Sequence, residues 1–212
     1  SVVSLPNPPA SQQTPRGNRR MESITDLAYV NGKVLVAGLS GADAPSTVRE
    51  IAFPFDSADE GVNLEIYHAA HGKVENHSAV RTFIPLTING EPSVLAGFTC
   101  TPLVRFPLKS LEKGEKVRGT TVAELGNRNK PLDIIVYQKE GKDYLLMANT
   151  TRGVMKIGTD SLGVDEGLSK PVSGGGTAGQ AFEKIESLTG VVQLDKLNDQ
   201  HAVVVVQQEG GN

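Results

Sequence analysis

One order of short runs recurs along this chain and limits what it can fold into. It begins with an apolar run at residues 24–30, turns at Asn31-Gly32 and continues through a second run at 33–38. A third run follows at 47–53. The same order returns at residues 82–88, Asn89-Gly90, 93–97 and 103–106, and again at 132–137, Glu140-Gly141, 144–149 and 154–157. Asn-Gly between two β-rich runs predicts a two-residue hairpin, because both central positions need positive φ. In each copy an apolar residue followed by a basic one marks the third run: Val48-Arg49, Val104-Arg105 and Met155-Lys156. A weaker fourth copy covers residues 190–194, a turn near Asn198-Asp199, and 202–206.

The turn glycines recur at about 50–58 residues, the period of blade-like units. Each unit shows three strands, and the spacer has room for a fourth, for example at residues 62–67. Four-stranded antiparallel units repeated about an axis make a β-propeller. The expected fold class is therefore all-β, a β-propeller or propeller arc of about four four-stranded blades. At the level of pattern, residues 24–207 resemble the NHL and gluconolactonase-like propellers. A β-sandwich would also show hairpins, but not the same three-strand signature three times. An α/β fold needs helical crossovers, and the best helical candidate is one short piece at residues 178–188.

Residues 1–20 read as an extended arm, with Pro6, Pro8, Pro9 and Pro15 favouring solvated backbone. The blades then occupy residues 21–212. Three and a half to four units is the lower limit for a ring, and an open arc exposes edges and apolar faces. The chain is accordingly expected to belong to a larger ring, completed by another protein chain or by more of the same propeller. A start at Ser rather than Met, and an end soon after a strand, agree with that expectation.

A formal charge of −3 argues against a general nucleic-acid binder, and no apolar run is long enough to span a membrane. The single cysteine, Cys100, rules out an internal disulfide framework and reads as a small core residue. Low cysteine content and the missing Met fit a periplasmic or extracellular protein, and fit a cytosolic one about as well on cysteine alone. Two Asn-x-Ser/Thr triplets start at Asn76 and Asn149.

The chemistry-bearing residues gather in predicted loops. Gly-Asn-Arg occurs twice, each time shortly before a first strand that carries Asp. One reading is a turn in which Arg pairs with a neighbouring Asp. The other is a cationic rim that includes Arg19, Arg20, Arg81, Arg128 and Arg152, with Asn127 and Asn149 beside it, suited to carboxylate or phosphate. Three histidines cluster as His68, His71 and His77, with Glu75 between. Nitrogen ligands at this spacing fit a divalent metal such as Zn or Cu, or else are solvated loop histidines. The resemblance to gluconolactonase-like enzymes would place Asp26, Asn127, Asp133 and Asn149 at a cation-holding channel mouth. There is no G-x-S-x-G, P-loop or G-x-G-x-x-G. The expected function is a non-catalytic binding or scaffold module, engaging a partner protein or small anionic ligand through one loop face. The alternative is a metal-dependent propeller enzyme, of lactonase, hydrolase or redox type.

Overall fold

The three predicted two-residue turns occupy the same corner of three successive sheets in the computed structural model, which describes residues 2–14, 17–112, 116–164 and 166–207. Pro15 of the expected arm and the chain end at 208–212 lie outside the described residues. At each corner both central residues have positive φ: Asn31 and Gly32 at 50° and 79°, Asn89 and Gly90 at 49° and 79°, Glu140 and Gly141 at 53° and 75°. The flanking pairs are Val30 with Lys33, Ile88 with Glu91, and Lys139 with Lys142. Positive φ at both positions lets the turn follow the right-handed twist of the strands it joins.

The protein is all-β. The first sheet runs Asp26–Val30, Lys33–Leu39, Ser46–Ala52 and Val62–His68, each strand antiparallel to the one before. The second repeats that order with Val80–Ile88, Glu91–Phe98, Pro102–Pro107 and Thr120–Leu125. The third uses Pro131–Lys139, Lys142–Asn149, Gly153–Gly158 and Phe182–Lys184. A two-stranded hairpin, Val191–Lys196 with Ala202–Val206, follows. Among the described residues no sheet closes on itself. Nor, among those residues, is any helix long and apolar enough to cross a membrane.

Three cores hold the sheets face to face in chain order. Leu35, Leu64 and Ile66 of the first meet Val80, Phe98 and Phe106 of the second. Leu95 and Leu103 of the second meet Leu145, Met147 and Ile157 of the third. Ala148 and Val154 of the third meet Val191 and Leu194 of the hairpin. The middle sheets carry apolar residues on both faces, which is why their strands read as nearly continuous hydrophobic runs.

Two outer edges are capped by strands from farther along the chain. Lys116–Arg118 adds in parallel to Val62–His68, and Arg118 and Lys116 reach Glu65 at 2.5 Å and 3.1 Å. Thr177–Gly179 adds to Thr120–Leu125. The best helical candidate, residues 178–188, instead contributes to this strand and forms Phe182–Lys184. Gly179, at φ +75°, breaks the helical pattern, and two sheet edges supply partners for the backbone.

The N-terminal arm lies against the first sheet. Gly41 N–H donates to the Asn7 carbonyl at 2.6 Å, and Arg49 Nη2 donates to the Pro6 carbonyl at 3.2 Å. Arg49 is fully buried beneath the arm.

A recurring carboxylate ties the sheets together. Asp26 Oδ1 accepts from its own strand at Leu27 N, and Oδ2 accepts from Phe83 N of the second sheet at 2.8 Å. Asp133 repeats this, with Oδ1 on Ile134 N and Oδ2 on Leu194 N of the hairpin at 2.9 Å. These two aspartates, suggested as channel-mouth cation ligands by resemblance, are occupied as clamps between neighbouring first strands. Burial pushes both carboxyls above the usual aspartate value, and the backbone amides pull them partly back. For Asp133 the charges of Asp26 and Asp195 add to the upward push.

Removing either clamp leaves a part-buried amide without its acceptor, so Asp26→Ala and Asp133→Ala should each cost about 2 kcal/mol in chemical denaturation. A raised carboxyl binds its proton more tightly when folded, so its contribution is fully present below the ordinary value of 3.8 and falls as pH rises through the shifted one. The stability deficit of Asp133→Asn relative to wild type should therefore shrink as pH climbs from 3.8 through that window, measured by denaturation across pH.

Candidate functional site

The loops at one end of the first two sheets build a polar cleft of ≈ 850 Å³. Its walls include Arg19, Asp43, His71, Lys73, Glu75, His77 and Ser78. That volume lies within the range of small-molecule sites.

At its edge the chain makes a tight turn. Val62–His68 ends at His68, residues 69–72 reverse direction, and Lys73–Glu75 pairs back on the same strand. Gly72, at φ +63°, permits the reversal. The register sets His68 opposite Lys73 and Ile66 opposite Glu75, so His68 and Glu75 are diagonal neighbours on one face. The Glu75 carboxylate then takes contacts from several sides. His68 Nδ1 bonds to Oε1, His71 Nδ1 lies 3.2 Å from Oε2, and Ser78 Oγ donates to Oε1 at 3.1 Å. The two imidazole rings lie against each other, tilted by 37° with centroids 3.9 Å apart.

His68 is buried, while His71 is partly open to the cleft. Glu124 of the second sheet closes the back of the turn. It is fully buried, and its Oε2 accepts from Ala70 N, between the two histidines, at 3.1 Å. Burial raises the Glu75 carboxyl, but hydrogen bonds and charge from His68 and His71 outweigh it and bring it down to about 2. Burial raises Glu124 as well, offset in part by the Ala70 amide and the nearby His68. Two buried polar atoms in this group have no partner among the described residues: His68 Nε2 and Glu124 Oε1.

Of the three histidines singled out in the sequence, the turn brings His68 and His71 together. Glu75, and not His77, completes the close group: His68, His71 and Glu75 each offer one donor atom, all within 4.8 Å of one another. His77 stands on the cleft wall outside that group. No local spacing in the sequence marks Glu124, because it comes from another sheet.

The expected arginine rim is dispersed. Arg19 Nη1 reaches the Asp43 carbonyl at 3.5 Å on the cleft wall, and Arg20 Nη1 reaches the Pro9 carbonyl at 3.4 Å. Arg81 pairs with Glu22 at 2.7 Å. Asn127, Arg128, Asn149 and Arg152 belong to a second loop cluster, between the second and third sheets. There Arg152 Nη2 meets the Asn127 carbonyl at 3.5 Å, and Arg128 is exposed.

Asn149 is 3% exposed and works as a structural tie. Its Oδ1 accepts from Asn129 Nδ2 at 2.9 Å, and its Nδ2 donates to the Met147 carbonyl at 3.0 Å. That burial removes it as a glycosylation acceptor in the folded chain. Cys100 is half-buried in the adjoining turn, at φ +66°, and not in the apolar core. Its amide donates to the Asn129 carbonyl at 3.1 Å.

No protein-family model matches the chain, and no curated protein sequence matches it.

These placements separate ties from free groups. Asn149→Ala should cost about 2–3 kcal/mol, because it strands buried donors and acceptors on both sides. Arg128→Ala, on an exposed side chain, should stay within about 0.5 kcal/mol of wild type. Denaturant midpoints of the two variants check both.

Proposed function

We propose that the chain is a binding and scaffold module, a β-propeller arc of the kind its sequence resembles, which takes further β-structure onto its C-terminal hairpin. The observation that carries this reading is the condition of Ala202–Val206. Each preceding sheet continues from its second strand to a third. Among the described residues, Ala202–Val206 pairs with Val191–Lys196 alone. Val204 packs toward the third sheet, whereas Val203 and Val205 are 47% and 49% exposed. An apolar strand with a free edge and one bare face is a template for another strand.

The arc reading draws support from a groove of ≈ 630 Å³ lined by the first strands of all three sheets and of the hairpin. It includes Asp26, Phe83, Asp133 and Leu194, the residues of the two clamps. Leu27 and Tyr29 of the first sheet, on that groove, are also largely exposed. An arc with an apolar face at its hairpin suits docking of another β-rich unit there. The partner is a further β-rich chain and, where none is present, a second copy of this one. On the loop face, Arg19 and Lys73 on the cleft wall give the module cationic groups for a small anionic ligand.

Sedimentation velocity over a concentration series tests the reading. The wild-type chain is expected to associate reversibly, and Val203→Lys with Val205→Lys to remain monomeric with an unchanged circular dichroism spectrum. A wild-type chain that stays monomeric up to its solubility limit contradicts the proposal. Equal association of the double variant does so too.

A further inference from the structure

We infer that His68, His71 and Glu75 form a binding site for a single borderline divalent cation of the zinc class, with an open coordination position facing the cleft.

Three independent features meet here. The first is the donor set. Two imidazole nitrogens and a carboxylate oxygen within 4.8 Å of one another can converge on one ion. Imidazole favours zinc and its late first-row neighbours over magnesium and calcium, which select oxygen. Three protein ligands with a solvent-facing fourth position is the arrangement of a site that exchanges water or substrate.

The second feature is unmet bonding. His68 and Glu124 are both fully buried, yet among the described residues His68 Nε2 and Glu124 Oε1 have no partner. Buried polar atoms are almost always satisfied, and two orphans, one on the histidine turn and one on the strand behind it, point to a species bound beside the group. The Ala70 amide holds Glu124 in place directly behind the histidine turn.

The third feature is the placing of the carboxyl groups. Glu75 lies against both imidazoles, and Glu124 stands behind the turn that carries them. Lys73 Nζ is 3.9 Å from Glu75 and largely exposed, which leaves the inner side of the group to the two carboxyl side chains.

The site is built by ordered elements on both sides. The hairpin register fixes His68 against Glu75, and the second sheet supplies Glu124. The cleft beyond His71 carries Arg19 and Lys73. An anionic ligand entering there would meet the ion's open position and these two side chains together.

Calorimetric titration of the full, metal-stripped chain with Zn²⁺ tests the inference, with Co²⁺ absorption as a second readout. Expected are one equivalent of Zn²⁺ bound and a Co²⁺ visible spectrum of low coordination number. His71→Ala, on a partly exposed ring that does not fill the core, should weaken binding by at least ~10–100-fold, the loss that even an outer partner of a ligand causes. His77→Ala should leave affinity unchanged. Stoichiometry well below one, or His71→Ala binding as tightly as wild type, would overturn the assignment. Equal weakening by His71→Ala and His77→Ala would also overturn it, by placing the ion in the open cleft. None of these outcomes depends on the hairpin at the other end of the protein.

Discussion

A β-sheet with apolar residues on both faces needs a neighbour on each side, and that requirement organises the whole molecule. The second and third sheets meet it through cores on both flanks. The stacking order then follows chain order, because each sheet is the nearest cover for the one before it. Face-to-face stacking carries equivalent loops to one end. That is how Glu124 of the second sheet comes to stand behind His68 of the first, although neither is near the other in sequence. The flanks of the stack are treated differently. The proline-rich arm crosses the first sheet, while the hairpin keeps exposed valines.

Polar groups buried by this packing fall into two kinds. Asp26, Asp133 and Asn149 have their bonds made within the fold, and they join one sheet or loop to the next. Among the described residues, His68 and Glu124 retain atoms with no partner although both are sealed from solvent. Satisfied burial stiffens a structure, whereas unsatisfied burial costs stability unless something else completes it. The contrast separates the structural carboxylates at the groove from the group beside the cleft. Arg49 is another such case, its Nε and Nη1 unpartnered among the described residues. It shows that desolvation alone is not a sign of a site, since no converging donor set surrounds it among the described residues.

Much of the architecture was legible in the residues. Asn31-Gly32 and Asn89-Gly90 announce their corners because few other residues accept positive φ twice in succession. The strand runs around them follow directly, and residues 62–67 were rightly placed as a fourth strand. What escaped depends on contacts between distant segments. Lys116–Arg118 looks like an ordinary charged loop until the open edge of Val62–His68 gives it a partner. Residues 178–188 have a helical composition locally, but two sheet edges determine their conformation. In the candidate site, the H-x-x-H spacing points to His68 and His71. Proximity in sequence adds His77, whereas hairpin register sets Glu75 beside the other two. The loop signals before the arginines fit either a rim or structural turns. In the fold, Arg19, Arg20 and Arg152 reach different carbonyls, and Arg81 pairs with Glu22.

Neighbouring sheets are joined through their first strands, and amide exchange at Phe83 reads that joint. The Phe83 N–H has its acceptor in the preceding sheet, at Asp26. Native-state hydrogen exchange should show this amide protected in the wild type. In Asp26→Ala it should lose protection by more than the amides of Leu95 and Ala96 in the same sheet. Identical exchange at Phe83 in the two proteins, after allowance for global stability, would contradict the stacked arrangement and the site built upon it.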